Sequence, residues 1–244
     1  MHSATRATFV PTLPVDKVDP WFITLSATRG AISLADLRAY MPAVRRNLLP
    51  DEALYRAGQA VRALYLVQAG SLQTSGGTDA HERARSALHI RGELIGVESI
   101  GSPTYSCDAI AIEQSSVWEL PYPDLLSACA NIPALEAQLT MTLAAQLCND
   151  GSWMRTLQAS CPDHCVAAFL LETAARARTI GLVTGHVMRM TRSEIGALLG
   201  LEHEIVTRSL TRLAAQGCIR VRWREVSILD SQALQDTLEC AAAH

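Results

Sequence analysis

Residues 190–229 read MTRSEIGALLGLEHEIVTRSLTRLAAQGCIRVRWREVSIL and carry the clearest structural pattern in the chain. Thr191 is a natural helix N-cap, and Glu194 stands three residues later, which is the spacing of a capping box. Gly200 can take the left-handed conformation that ends this first helix. The pattern then predicts a second helix from about residue 203 to 216. Two short helices joined by a glycine turn indicate a helix-turn-helix.

The second predicted helix has one apolar face and one polar face. At about 100° per residue, Val206, Leu210 and Leu213 share the apolar face, which would pack on the first helix. The opposite, polar face lies near the helix N terminus, where a recognition helix meets base edges; it consists of Glu204, Thr207, Arg208 and Thr211. Arginine pairs with guanine in a bidentate manner, and glutamate accepts a hydrogen bond from cytosine. A solvated Glu–Arg pair is the alternative, and the neighbouring helix and hairpin favour DNA reading.

A β-hairpin is predicted after the second helix, because Ile219, Val221 and Trp223 alternate with three arginines. Arg220, Arg222 and Arg224 are thereby expected on the open face, as in a wing that reaches DNA phosphates. The predicted DNA contacts are the polar residues of the two helices and the wing, namely Thr191, Arg192, His203, Glu204, Thr207, Arg208, Thr211, Arg212 and Arg222.

Charge is unevenly distributed along the 244 residues. The net charge is −3, but the segment 186–225 carries seven Arg and four Glu, so it stands at +3 and the remainder at −6. A basic segment beneath an acidic body fits DNA binding. Hydrophobic residues make up 49% of the chain, which excludes disorder over most of its length.

The sequence predicts neither an enzyme nor a membrane protein. It contains no GxSxG, phosphate-loop or HExxH motif, so no catalytic residue is assigned. The N terminus lacks the apolar stretch of a signal peptide, and no run approaches about 18 apolar residues. The seven cysteines are odd in number and scattered, which argues against a disulfide framework. We therefore expect a cytoplasmic protein with no membrane partner.

Four segments are predicted along the chain. Residues 1–20 contain three prolines and form a flexible N-terminal arm. Residues 21–125 form a sensor domain, partly helical over 21–50 and then built of short antiparallel strands separated by glycines, as in a sandwich or barrel. Residues 126–160 form a long dimerisation helix, and residues 161–244 form the winged helix-turn-helix domain. The fold class is α+β.

Dimerisation is predicted from an apolar stripe on the long helix. Leucines recur every four residues, and a methionine extends the stripe, as Leu135, Leu139, Leu143, Leu147 and Met154. Symmetric dimers are the commonest oligomers, and a palindromic DNA site needs two copies of the reading helix. The alternative is that the stripe packs on the chain's own sensor domain.

Over about residues 50–230 the sequence resembles the superfamily of the cyclic-AMP receptor protein and the fumarate-nitrate reduction regulator. The matching segments are LYRAG at 54–58, ALY at 63–65 with Gly70, GELIG at 92–96 and MTRSEIG at 190–196. The E-x-x-S-R pattern of the fumarate-nitrate branch is present as Glu204, Thr207 and Arg208. The resemblance implies an N-terminal β-roll like that of cyclic-nucleotide-binding domains, a long helix and a C-terminal winged helix. It also implies a homodimer on a TTGAT-like palindrome in double-stranded DNA, with RNA polymerase as a further partner.

Departures from the family indicate which effectors to exclude. Cyclic-nucleotide binders carry a carboxylate after the second glycine and then an arginine for the phosphate. Here Val97 follows Gly96, and no Arg or Lys occurs between Arg91 and Arg155, so no cyclic AMP is expected. The oxygen-sensing members ligate an iron–sulfur cluster with four cysteines. This chain lacks the three N-terminal ones and has Trp118 in the fourth position, so no such cluster is expected.

Two further groups of residues leave an alternative function open. Cys161, His164 and Cys165 are close in sequence, but they are too few for a closed metal site, and as a Cys–His dyad they lack a third orienting group. His81 and His89 are candidate haem ligands, although a lone histidine is more often structural. We therefore predict no metal and no cofactor. The alternative is a haem- or thiol-based signalling module whose winged helix contacts proteins.

Overall fold

The structure is a computed structural model, and it describes residues 41–76, 86–137, 139–144, 147, 161–179 and 187–241. The predicted N-terminal arm and most of the predicted helical segment 21–50 lie outside these residues. The end of that segment is a β-strand rather than a helix, because it pairs with another strand over 44–48.

Eight strands build the part of the N-terminal domain that the structure describes, and every strand pair among them is antiparallel. They are β1 (Val44–Leu48), β2 (Ala53–Tyr55), β3 (Ala63–Ala69), β4 (Ser71–Gly76), β5 (Ala87–Ile90), β6 (Leu94–Ile95), β7 (Cys107–Ala111) and β8 (Ser115–Pro121). They form two four-stranded sheets, with strand orders β1-β8-β3-β6 and β2-β7-β4-β5. Both sheets contribute to one core, in which Leu72 of one packs with Ile95 and Val117 of the other. This confirms the predicted antiparallel fold class.

Strand β3 is buried on both faces, which explains why its residues 63–67 are all apolar rather than alternating with polar ones. Tyr65 and Val67 face the core between the sheets, whereas Leu64 and Leu66 face a second core beneath a helix. A strand that is buried on both faces needs apolar residues at every position. The strand ends before Gly70, where a Cβ would lie 2.3 Å from the hydroxyl oxygen of Ser115 at the start of β8.

Six α-helices, one short 3-10 helix (Val97–Ser99) and a small sheet complete the described residues. The α-helices are α1 (Tyr122–Asn131), α2 (helical at 133–137, 139–144 and 147), α3 (Pro162–Thr179), α4 (Arg192–Leu199), α5 (His203–Ala215) and α6 (Ser231–Ala241). The small sheet joins β9 (Val187–Arg189), β10 (Ile219–Arg222) and β11 (Glu225–Ile228) in the order β10-β11-β9. Within the described part of the chain, no helix is both long enough and apolar enough to cross a membrane.

Helix α2 carries the predicted dimerisation stripe, and its first leucine is not at the surface. Leu135 is only 1% exposed and packs with Trp118 and Leu125 in the core of its own protomer. Leu139 packs partly on the same core, whereas Leu147 is 72% exposed. The stripe therefore begins as core and ends as surface; Met154 lies outside the described residues.

The two sheets of the N-terminal domain form the β-roll. The C-terminal domain packs on this β-roll through a shared core and an ion pair. Ile90 and Ile112 of the β-roll belong to the same buried cluster as Phe169 of α3. Beside them, Nε of Arg176 donates to Oε1 of Glu93 at 2.9 Å, and Nη2 of Arg176 donates to the carbonyl of Leu88 at 2.6 Å. Helix α3 thus couples the two domains directly.

Candidate nucleic-acid interface

Helix α4 begins with the capping box that the sequence predicts. The Glu194 N–H donates to the Thr191 hydroxyl at 3.1 Å, and the Thr191 N–H donates to Oε2 of Glu194 at 2.6 Å. Gly200 ends the helix in the left-handed conformation, with φ 66°. The sequence therefore located both ends of α4 correctly, because each signal depends on residues within one turn of the helix end.

The backbone approaches α4 closely in the turn between α4 and α5. The Leu201 N–H donates to the carbonyl of Gly196 at 2.9 Å, and a Cβ at position 196 would lie 2.4 Å from the carbonyl oxygen of Leu201. A glycine inside a helix costs conformational entropy, and here its missing side chain is what allows the turn to fold against α4.

Helix α5 has the two faces predicted from its sequence. Val206, Leu210 and Leu213 are buried in the core that also contains residues of α4. Glu204, Arg208 and Thr211 are exposed, and Thr207 is half-buried. The polar face therefore points away from the domain core, as a surface-reading helix requires.

Threonine hydroxyls on α5 donate their protons to the helix backbone. Thr207 donates to the carbonyl of His203 at 2.8 Å, and Thr211 donates to the carbonyl of Thr207 at 2.8 Å. Each side chain consequently offers outward an oxygen lone pair and a methyl group, the latter being suited to the methyl of thymine. His203 is exposed at the start of the helix, and no side chain caps that N terminus.

The two arginines of α5 differ in whether their guanidinium groups have a partner within the described part of the protein. Nη2 of Arg212 lies 3.0 Å from Oδ1 of Asp163 in α3, so this predicted DNA contact is held in an ion pair. Among the described residues, the Arg208 guanidinium has no ion-pair or hydrogen-bond partner, and it forms no pair with Glu204. Arg208 is therefore available to an external ligand, whereas Arg212 must first leave Asp163.

The wing is the hairpin of β10 and β11, and its tip differs from the predicted alternation. Arg222 pairs with Glu225 across the hairpin, so Trp223 and Arg224 form its two-residue turn. Trp223 has a φ of 53° and is 83% exposed, although the alternation placed it with the inward residues. Arg224, predicted on the open face, points inward: Nη2 donates to Oε1 of Glu194 at 3.0 Å and to the carbonyl of Ile112 at 3.2 Å. Strict alternation ends where the strand ends.

Arg192 has a structural contact that the sequence did not reveal. Its Nη1 atom donates to the carbonyl of Trp223 at 2.7 Å and so holds the wing tip against α4. Arg192 and its partner are 31 positions apart, so no local pattern predicts this contact. Arg222, another predicted DNA contact, lines a cleft between the wing and the β-roll, and its DNA contact stays a prediction.

Two aromatic rings in the interior of the β-roll lie beside an exposed carboxylate, Glu98. The rings of Tyr55 and Tyr105 are stacked with centroids 3.8 Å apart. The Tyr55 hydroxyl donates to Oε1 of Glu98 at 2.9 Å, and the Cys107 thiol donates to the same oxygen at 3.1 Å. Burial, and then the charge of Glu98, raises the pKa of Cys107 to about 12, so the thiol stays protonated.

The candidate metal and haem residues do not form a ligand set within the described part of the chain, where no three His, Cys, Asp or Glu side chains converge. Cys161 and His164 are half-buried at the start of α3, and Cys165 is buried. His89 is buried, and its Nε2 atom lies 3.0 Å from the Thr74 hydroxyl. His81 lies outside the described residues.

Comparison with known proteins assigns both domains. A model of the cyclic nucleotide-binding domain matches residues 45–131, and a model of the Crp-like helix-turn-helix domain matches residues 166–237. The transcriptional activator protein anr of Pseudomonas aeruginosa is 34% identical over 187 residues, which are 76% of this chain and 77% of that protein. The fumarate and nitrate reduction regulatory protein of Escherichia coli (strain K12) is 27% identical over 191 residues, which are 78% of this chain and 76% of that protein.

Solved structures share this arrangement. FixK2 from Bradyrhizobium japonicum superposes with a TM-score of 0.69 and 26% identity, covering 80% of this chain and 97% of that chain. The curated relatives named above are transcriptional regulators, a class of DNA-binding proteins rather than enzymes.

Proposed function

The chain belongs to the Crp/Fnr family of DNA-binding transcription regulators, and from that premise we propose that two copies of it read a palindrome of TTGAT-like half-sites without cyclic AMP. The observation that carries this proposal is the outward edge of α5, on which Glu204, Thr207 and Arg208 lie on the face opposite its buried leucines. These residues repeat the E-x-x-S-R pattern of the fumarate-nitrate branch, with threonine in place of serine.

Each residue of this edge has a distinct role in the proposal. Arg208 donates two hydrogen bonds to O6 and N7 of the half-site guanine, because its guanidinium has no partner among the described residues. Glu204 accepts a hydrogen bond from the amino group of a cytosine. The Thr207 hydroxyl donates to the carbonyl of His203, and this bond fixes the orientation of the side chain. The methyl group of Thr207 is then the part that contacts a thymine.

Phosphates are held by backbone and by peripheral arginines. The N terminus of α5 has no side-chain cap, and free N–H groups at such a position attract a phosphate. The exposed guanidinium of Arg220 supplies a further cation on the wing. These contacts position the domain on the duplex and carry no sequence information.

Dimerisation is proposed to use the later part of α2. Leu147 is 72% exposed and Met141 is 49% exposed, whereas Leu135 is committed to the protomer core. A helix that carries large apolar side chains at its surface gains stability when a second copy covers them. The paired helices would set the spacing of two α5 helices to about one turn of DNA. RNA polymerase stays a predicted partner.

Independence from cyclic AMP is proposed from the chemistry of the β-roll. A cyclic phosphate needs a cation, whereas the polar group beside the buried rings is the exposed Glu98 carboxylate, which accepts hydrogen bonds from Tyr55 and Cys107. Two negative charges at short distance repel each other, so a phosphate beside this carboxylate is unfavourable. Trp118, buried in the position of the fourth cluster cysteine, likewise supplies no ligand for iron.

The experiment is a titration of a fluorescent TTGAT palindrome and a scrambled duplex with wild type, Arg208→Ala and the matched control Arg212→Ala. We expect Arg208→Ala to lose about 1–3 kcal/mol per half-site on the palindrome and to bind the scrambled duplex as before. Arg212→Ala should lose less, because its guanidinium is already paired with Asp163. Saturating cyclic AMP should leave the wild-type affinity unchanged.

Equal wild-type affinity for the palindrome and the scrambled duplex would reject the proposal. That result would favour a signalling module whose winged helix contacts proteins. A rise in palindrome affinity on adding cyclic AMP would reject cyclic-AMP independence alone.

A further inference from the structure

A cleft of about 680 Å³ separates the β-roll from the wing. Its β-roll wall contains Ile112 and Gln114, and its wing wall contains Arg222 and Trp223. Small-molecule sites commonly have volumes of roughly 300–1,000 Å³ and lie preferentially between domains. Size and position therefore suit a small ligand that contacts both domains together.

The charges of the cleft favour an anion. Of its two carboxylates, Glu225 accepts from Nε of Arg189 at 3.2 Å, and Glu113 accepts from the Ser71 hydroxyl at 2.9 Å.

Arg224 is already paired with Glu194 outside the cleft. The Arg222 guanidinium has no hydrogen-bond or ion-pair partner among the residues that the structure describes. It is the group in this cleft to which a carboxylate can bind in a bidentate manner.

Trp223 gives the ligand a second property, a flat aromatic surface. Its φ of 53° is unusual for a bulky residue, and its side chain is 83% exposed. The conformation is held by the bond from Arg192 to the Trp223 carbonyl and by a 2.9 Å bond from the Met190 N–H to the Arg224 carbonyl. A strained residue persists where its surroundings hold it, and such residues cluster at ligand sites.

We infer that this cleft binds a small planar aromatic carboxylate, with the ring against Trp223, the carboxylate on Arg222 and the opposite edge against Gln114. The aromatic ring gains by stacking on the indole, and the anion gains a charge-assisted hydrogen bond. The β-roll interior, where the rings of Tyr55 and Tyr105 are stacked on each other, does not take part.

Ligand binding here also affects the orientation of the DNA-binding domain. A molecule that touches both walls favours the arrangement in which the wing lies against the β-roll, and it shifts the population toward that arrangement. The palindrome affinity then changes with ligand concentration. This regulatory consequence rests on the proposed function, whereas the binding itself does not.

The test uses salicylate as the probe and isothermal titration calorimetry on the full chain without DNA. We expect wild type to bind, and we expect Arg222→Ala and Trp223→Ala each to weaken binding by about tenfold or more. Gln114→Trp fills the cleft from the β-roll wall, where the native side chain is exposed, and it should weaken binding equally. Arg220→Ala is the matched control, because this wing arginine does not line the cleft; it should bind like wild type.

Two results would overturn the inference: no binding of salicylate to wild type at millimolar concentration, or equal binding by wild type and all three cleft variants. A second measurement titrates the palindrome with and without salicylate, and the ratio of the two affinities should depart from one in wild type and return to one in Gln114→Trp. Salicylate binding in the absence of any palindrome preference would reject the proposed function and keep the ligand site.

Discussion

Nη2 of Arg224, in the turn of the wing, lies 3.0 Å from Oε1 of Glu194, the residue that closes the capping box of α4. The same Nη2 atom donates to the carbonyl of Ile112 in the β-roll. The Glu194 carboxylate therefore caps α4 and anchors the wing, and Arg224 connects both to the β-roll. Neither side chain is more than one-third exposed, so the pair is only partly screened by solvent.

Two substitutions of Glu194 should destabilise the C-terminal domain to different extents. Glu194→Gln keeps an oxygen for the Thr191 N–H and loses the charge, so we expect a loss of about 1 kcal/mol in the free energy of unfolding. Glu194→Ala removes the cap as well and should lose about 2–3 kcal/mol. Urea denaturation followed by circular dichroism measures both. Glu202→Ala, at an exposed residue that makes no side-chain cap, is the control and should change little; equal losses in all three variants would contradict this account.

Gly196→Ala should disrupt the packing of α5 on α4. The added methyl would lie 2.4 Å from the Leu201 carbonyl oxygen, which belongs to the backbone and has little freedom to move. We expect a loss of about 2–3 kcal/mol and a melting temperature lower by about 5 °C or more. The control is Gly200→Asn, because that position has φ 66° and open space around a Cβ, and asparagine tolerates the left-handed region. Equal melting temperatures for the two variants would show that the backbone contact is unimportant.

Leu147→Glu should separate the proposed dimer into monomers. The residue is 72% exposed on α2, and a charge there would be buried without a partner in a dimer. Sedimentation velocity should show a species near the 26.4 kDa of one chain, with weaker binding to the palindrome. Leu126→Glu, on an exposed position of α1, serves as the control and should stay dimeric. A dimer that survives Leu147→Glu would place the interface elsewhere.

Alkaline pH should destabilise the β-roll through Cys107. Burial and Glu98 raise its pKa to about 12 from the ordinary value of 9.0. The unfolded chain therefore loses this proton first, so stability is complete below pH 9 and is lost as pH rises from 9 toward 12. At pH 10 the loss from this group should be about 1 kcal/mol. Urea denaturation at pH 8 and pH 10 measures it, and Cys107→Ser, whose hydroxyl does not titrate in this range, should show a smaller loss. An identical pH dependence in both proteins would exclude Cys107 as the cause.

Much of the fold was predictable because its signals are short-range. The Thr191–Glu194 capping box, the left-handed Gly200 and the amphipathic pattern of α5 depend on residues within one or two helical turns of each other, and the structure confirms all three. The antiparallel class of the β-roll was likewise evident from short apolar runs between glycines. Strand β1 was missed because a strand is defined by its partner, here residues 115–119.

The order of neighbouring residues specifies both ends of α4, the two faces of α5 and the motifs that carry the family resemblance. Contacts between distant segments place Leu135 inside its own protomer and pair Arg212, but not Arg208, with Asp163. They also turn Arg224 inward to Glu194 and leave Trp223 exposed beside the cleft. The physical reason is that side-chain pairing and burial depend on which surfaces meet in space, and residues 30 to 112 positions apart meet here through packing that no local pattern records.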